Sequence, residues 1–128
     1  MDLVVFADCM NKIIALIMSF VQRYIFSYKL FCKMRKKKYS VYSQWIRPVF
    51  KDCHRSVRFE KVGLLAGLQY ISIGANSNFQ SGLYLTAGDK YGDKKFTPKI
   101  TIGTNCSFGA FNHVTCIDEI TIGDGCLT

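Results

Sequence analysis

Residues 98–128 read PKITIGTNCSFGAFNHVTCIDEITIGDGCLT. ITIG occurs twice in this stretch, at Ile100 and Ile120, and ISIG precedes it at Ile71. Steps of six from Ile102 reach Phe108, Val114 and Ile120, and steps of six from Ile73 reach Phe79 and Leu85. A helix does not return to one face every sixth residue, and an ordinary strand alternates with period two. Period six with Gly or Asn between the apolar anchors predicts short strand, turn, short strand. Gly74, Gly103 and Gly123 each follow an Ile, and Asn76 and Asn105 stand two residues after Gly74 and Gly103. These residue types tolerate the positive φ of a tight corner.

Three such sides make a triangular coil of ~18 residues, stacked on its neighbours at ~4.8 Å. The two ITIG segments start twenty residues apart, and ISIG precedes the first by twenty-nine. The longer interval predicts a protrusion of about ten residues. The polar, glycine-bearing AGDKYGDKKFTP at residues 87–98 fits it. Ser77, Cys106 and Cys126 each lie four residues after the Ile of an Ile-Gly pair. They take the small inward position of successive coils, where Cys acts as a small hydrophobe.

The 128 residues suffice for one domain, and 49% are hydrophobic, which excludes wholesale disorder. The net charge of +8 is uneven: residues 1–65 carry +9 and residues 66–128 carry −1. A basic first half points to an anionic partner. The start, MDLVVFADCM, has Asp2 and Asp8 where a secretory signal would be positive. The six cysteines are therefore expected to be reduced, in a cytoplasmic protein. They form no CxxC pair and have no ligand-like spacing to His54 or His113, so no metal is expected.

From Met10 to Cys32 apolar residues recur at helical spacing through Ile13, Ile14, Ile17, Val21, Tyr24, Ile25, Tyr28 and Phe31. Gln22, Arg23 and Lys29 interrupt the stretch, which predicts an amphipathic helix, not a spanning one. It runs into Lys33, Arg35, Lys36, Lys37 and Lys38. Two readings are open. The helix packs on its own protein or on a neighbouring subunit, or its apolar face enters a membrane interface while the cations meet anionic lipid. The same basic run, followed by Tyr39, Tyr42 and Trp45, has the interleaving of a single-strand binder. No recognition motif accompanies it, and no nucleic-acid partner is expected. Residues 40–65 give no clear pattern beyond a bend at Arg47-Pro48 and a short strand within Val57 to Val62.

The tract Ile71 to Thr128, a little under half the chain, resembles the hexapeptide-repeat acyltransferases on its Ile-Gly repeats. It is similar to the galactoside and maltose O-acetyltransferases and to bacterial relatives that acetylate capsular or exopolysaccharide sugars. The resemblance implies a mainly β fold, a left-handed parallel β-helix preceded by the amphipathic helix. The domains would be a basic extension over residues 1–65 and a β-helix domain over residues 66–128. It also implies acetyl-CoA as donor, a sugar hydroxyl as acceptor and a homotrimer with active sites between subunits. The relatives' catalytic histidine sits in an Asp-x-x-His-Gly-like segment about one coil beyond a corner matching Ile122 to Gly125, hence past Thr128. This chain is then expected to be an inactive N-terminal fragment of an O-acetyltransferase. The relatives also carry an Ala-Asn-Phe-Asn stretch followed by an Asp that binds sugar hydroxyls. Here it reads Gly109-Ala110-Phe111-Asn112, then Asp118, with Ala110 in place of the first Asn. Asn112 and Asp118 are the expected acceptor contacts, or else cap turns. His113, displaced from the catalytic position, would line the acceptor cleft. The alternative is a non-catalytic β-helix module for trimerisation or membrane-surface binding.

Overall fold

The structure, a computed structural model, describes residues 2–128. It divides into two compact units, Met1–Lys37 and Lys38–Thr128.

The first unit is helical. Helix α1 spans Leu3–Phe20 and starts where the Asp2 carboxylate accepts from the Val4 N–H, as an N-cap does. A π-helical turn, Val21–Ile25, follows, and Phe26 is extended at φ −143°. Helix α2, Tyr28–Ile46, then begins with the Ser27 hydroxyl accepting from the Leu30 N–H at 3.2 Å. The single helix expected over Met10 to Cys32 is thus two. The apolar pattern runs through the break because Phe26 and Tyr28 each pack on Phe31, both with ring centroids 6.3 Å away. No residue of α1 is buried. Leu3–Ile25 is long and apolar enough, by length and composition, to cross a membrane. Its Asp8 and Lys12 pair with each other at 2.9 Å, one helical turn apart.

The second unit holds the last turns of α2, from Lys38, and the strands. They are β1 (Asp52–Cys53), β2 (Arg58–Phe59), β3 (Leu64–Ala66), β4 (Ile71–Ile73), β5 (Asn78–Phe79), β6 (Tyr84–Ala87), β7 (Lys90–Tyr91), β8 (Lys94–Lys95), β9 (Lys99–Ile102), β10 (Ser107–Phe108), β11 (His113–Cys116) and β12 (Glu119–Ile122). β1-β4-β9-β12 form one sheet, β2-β5-β10 a second and β3-β6-β11 a third, and every pairing in them is parallel. The chain visits the three sheets in the same order on each pass. Ile71 pairs with Ile100, and Ile100 with Ile120, so the Ile-Gly segments stack on one another as their repetition predicts. The extra residues between β6 and β9 form the antiparallel hairpin β7-β8. Gly92, at φ 61°, takes the first place of its two-residue turn, as a II′ turn requires.

The stack begins at β1, earlier than the expected boundary at residue 66. Cys53 pairs with Ile73, Phe59 with Phe79 and Leu65 with Leu85. The first pass therefore keeps the six-residue anchors without an Ile-Gly pair to announce it. Ile71, Ile73, Ile100 and Ile102 of the first sheet, Phe59, Phe79 and Phe108 of the second, and Leu85, Ala87 and Cys116 of the third are buried together. Tyr42, Ile46 and Phe50 close one flank of this core. The end of α2 is tied down by Ser43, which is fully buried. Its hydroxyl donates to the Tyr39 carbonyl at 2.7 Å and accepts from the Phe59 N–H at 2.8 Å. Burial without those partners would cost about 1–3 kcal/mol.

The corner glycines differ from expectation. Asn76, Asn105 and Gly125 hold the positive φ, at 59°, 56° and 70°. Gly74, Gly103 and Gly123 do not, and the first two are bare because the next pass lies against them. The small inward residues bond the same corners together. Ser77 Oγ donates to the Gly103 carbonyl at 3.0 Å, and Cys106 Sγ to the Gly123 carbonyl at 3.1 Å. Ser77 and Cys106 are buried and Cys126 half-buried, and all six cysteines are free.

Candidate functional site

Sheet alternation decides which side chains of β11 reach solvent: Cys116 points inward, while His113 and Thr115 are exposed. Register sets Tyr84 beside His113 and Leu64 beside Tyr84. The Tyr84 and His113 rings meet at 5.2 Å and 54°. Next to them, the Thr86 and Thr115 hydroxyls bond at 2.9 Å. The third sheet thus shows solvent an aromatic pair followed by a hydroxyl pair.

The corner before β11 frames a cavity of about 380 Å³. Phe111 sits there at φ 59°, 80% exposed, with its N–H bonded to the Ser81 carbonyl at 2.9 Å. Its ring covers Gly82, where a Cβ would strike it. Lys61, Ser81, Tyr84 and Phe111 line the space, a cation and a hydroxyl between two aromatic walls. Such a lining suits a polyol ring, whose C–H face stacks on aromatics and whose hydroxyls bond to polar groups.

None of the residues singled out in the sequence is among those that line this space; His113 touches one that is, Tyr84. Asn112 closes the corner: its side-chain amide donates to the Gly109 carbonyl at 3.0 Å, and its backbone carbonyl accepts from Tyr84 N–H at 2.9 Å. Its turn-capping role is therefore filled, and its side-chain oxygen and one amide N–H stay available. Asp118 lies two residues beyond the end of β11, at most about 17 Å along the chain from His113 by strand rise. It is exposed, and among the described residues its carboxylate has no hydrogen-bond or ion-pair partner. Tyr84, Phe111 and Lys61 were not singled out. A signal for Tyr84 was present, since it precedes His113 by the same twenty-nine residues that separate ISIG from ITIG.

Among the described residues, no three His, Cys, Asp or Glu side chains converge as a metal site. Burial pushes the Cys53 thiol up to about 11, against an opposing pull from Arg47. It is a protonated, poor nucleophile near neutral pH. Tyr42 is raised in the same way, by burial. No family model, curated protein or solved structure matches the chain.

Proposed function

We propose that the three stacked sheets are a left-handed parallel β-helix of the hexapeptide-repeat kind, and that the protein moves an acetyl group from acetyl-CoA to a sugar hydroxyl. The observation that carries the reading is the parallel pairing of the Ile-Gly segments, with the aromatic cleft of Tyr84 and Phe111 beside them. In the reaction a general base takes the hydroxyl proton as its oxygen attacks the thioester carbonyl. The tetrahedral oxyanion collapses, the C–S bond breaks, and the thiolate leaves and is protonated. The resemblance puts the base in a coil after the Ile122–Gly125 corner and the active sites between subunits of a homotrimer. This chain supplies the acceptor wall: Tyr84 and Phe111 hold the sugar face, Asn112 and His113 meet the hydroxyls of that ring, and Asp118, farther along, meets those of a neighbouring sugar unit.

The test uses the protein carrying that following coil, with acetyl-CoA and a panel of glycosides, and reads acetylated sugar by mass spectrometry. Acetylated product is expected, and Phe111→Ala should raise KM for the sugar about 2–10-fold with kcat little changed, the size of one aromatic contact. Absence of product with every acceptor would remove the transfer reading.

The second reading, a membrane-bound module, is favoured by the helix Leu3–Ile25, of which no residue is buried. Apolar side chains entering lipid while Lys33 to Lys38 meet anionic headgroups would hold the protein at the cytoplasmic face of a membrane. Removing residues 1–38 is expected to abolish co-sedimentation with anionic vesicles. Undiminished pelleting would sink it.

A further inference from the structure

A second cavity, of about 420 Å³, lies where the first pass turns from β1 into β2, and the transfer reading leaves it unused. Ser40 and Gln44, four residues apart on α2, line one side with Arg47 just beyond the helix. Arg55 and Arg58 line the other, and Asn76 and Asn78 of the next pass complete it. Three arginines line this space and no Asp or Glu does. Among the described residues none of the three is in an ion pair; the pairs present are Asp8–Lys12 and Lys99–Glu119.

The lining is also held in place. Arg47 is half-buried, and its Nε donates to the Val57 carbonyl at 3.0 Å, which fixes the guanidinium and leaves its other N–H groups free. Ser56 Oγ accepts the Asn76 N–H at 2.7 Å and bonds His54 Nδ1 at 2.7 Å. The Ser56 N–H also donates to Nδ1, at 3.2 Å. This chain of bonds pins the turn that carries Arg55. Asn78 Oδ1 is occupied by the Ser107 hydroxyl at 3.0 Å, so its amide N–H groups are the part left to offer. Like charges gathered without a counter-charge repel, and a multiply charged anion removes the repulsion. Planar guanidiniums match phosphate oxygens in pairs.

We propose that this cavity binds the diphosphate group of a phosphate-ester ligand. The ligand is a glycosyl diphosphate or a coenzyme carrying a diphosphate bridge, since both offer the same chemistry to three arginines. The proposal does not depend on acetyl transfer.

The experiment is titration calorimetry on the full chain in detergent, at fixed ionic strength, with inorganic pyrophosphate as probe and orthophosphate for comparison. One pyrophosphate per chain is expected, bound at least about tenfold more tightly than orthophosphate. Arg55→Gln with Arg58→Gln, both on exposed residues, should weaken it by about tenfold or more, with the circular dichroism unchanged. Lys94→Gln with Lys95→Gln, on the exposed hairpin, should leave it intact. Displacement by coenzyme A or by a nucleoside-diphosphate sugar supports the proposal and tells which ester is the ligand. Absence of pyrophosphate binding, equal binding by the arginine variant, equal loss in the lysine variant, or displacement by neither ester overturns it.

Discussion

Phe79→Ala is expected to lower the stability of the second unit by about 3–5 kcal/mol, enough to unfold a marginal domain at room temperature. Phe50, Phe59, Phe79 and Phe108 form a column of near-parallel rings, with successive centroids at 5.3, 5.0 and 4.7 Å. Phe79 is 1% exposed and has a ring on either side, so its truncation opens a cavity and removes two stacking contacts at once. Each aromatic contact adds about 0.5–1.5 kcal/mol beyond area burial. The surrounding walls are hydrogen-bonded strands that cannot close far into the gap, which puts the cost toward the upper end. Phe111→Ala removes the same ring from an exposed corner and should shift stability by less than about 0.5 kcal/mol. Urea unfolding followed by far-ultraviolet circular dichroism separates the two, since both variants should keep the same slope. Equal midpoints for Phe79→Ala and Phe111→Ala would mean that the column is not the core.

The column also explains how far the sequence could be read. Phe79 and Phe108 stand in six-residue series anchored by Ile73 and Ile102, so their alignment followed from the repeat. Phe59 belongs to the same column, but its pass opens with Cys53-His54 where later passes have Ile-Gly. The anchor spacing survives there while the corner signature does not, which is why the boundary at residue 66 falls one pass late. At the other end of the chain, the helical stripe from Met10 to Cys32 was visible but the break at Phe26 was not. Aromatic residues packed on Phe31 from both sides of the break keep the apolar periodicity running through it. Beside the cleft, the resemblance picked out Asn112 and His113 but could not say that one Asn112 amide N–H is spent on the Gly109 carbonyl. Nor could it find Lys61 and Phe111 as cleft walls, because a cleft built from three successive passes depends on a register that composition does not carry.

Gly74→Ala is expected to cost about 2 kcal/mol: overpacking costs about 1–3, reduced by the entropy that alanine removes from the unfolded chain. A Cβ at Gly74 would lie 2.7 Å from the Gly103 carbonyl carbon and 2.9 Å from the Thr104 nitrogen. Both are backbone atoms of the next pass, held by the Gly74 N–H bonded to the Ile102 carbonyl at 2.8 Å. No side chain can swing aside to make room. The pass must lift instead, and that loosens the Ser77–Gly103 bond beside it. Gly88, between β6 and the hairpin, also has a φ outside the positive region, and a Cβ there meets nothing closer than the Ile117 Cγ2 at 3.6 Å, an ordinary contact. Gly88→Ala should therefore be neutral or stabilising, by up to about 1 kcal/mol. Thermal unfolding of the two variants tests why Ile73 is followed by Gly. If any side chain on the glycine's backbone were harmful, both substitutions would damage the protein alike. If Gly74 is needed because one pass of backbone rests directly on the next, only Gly74→Ala unfolds early.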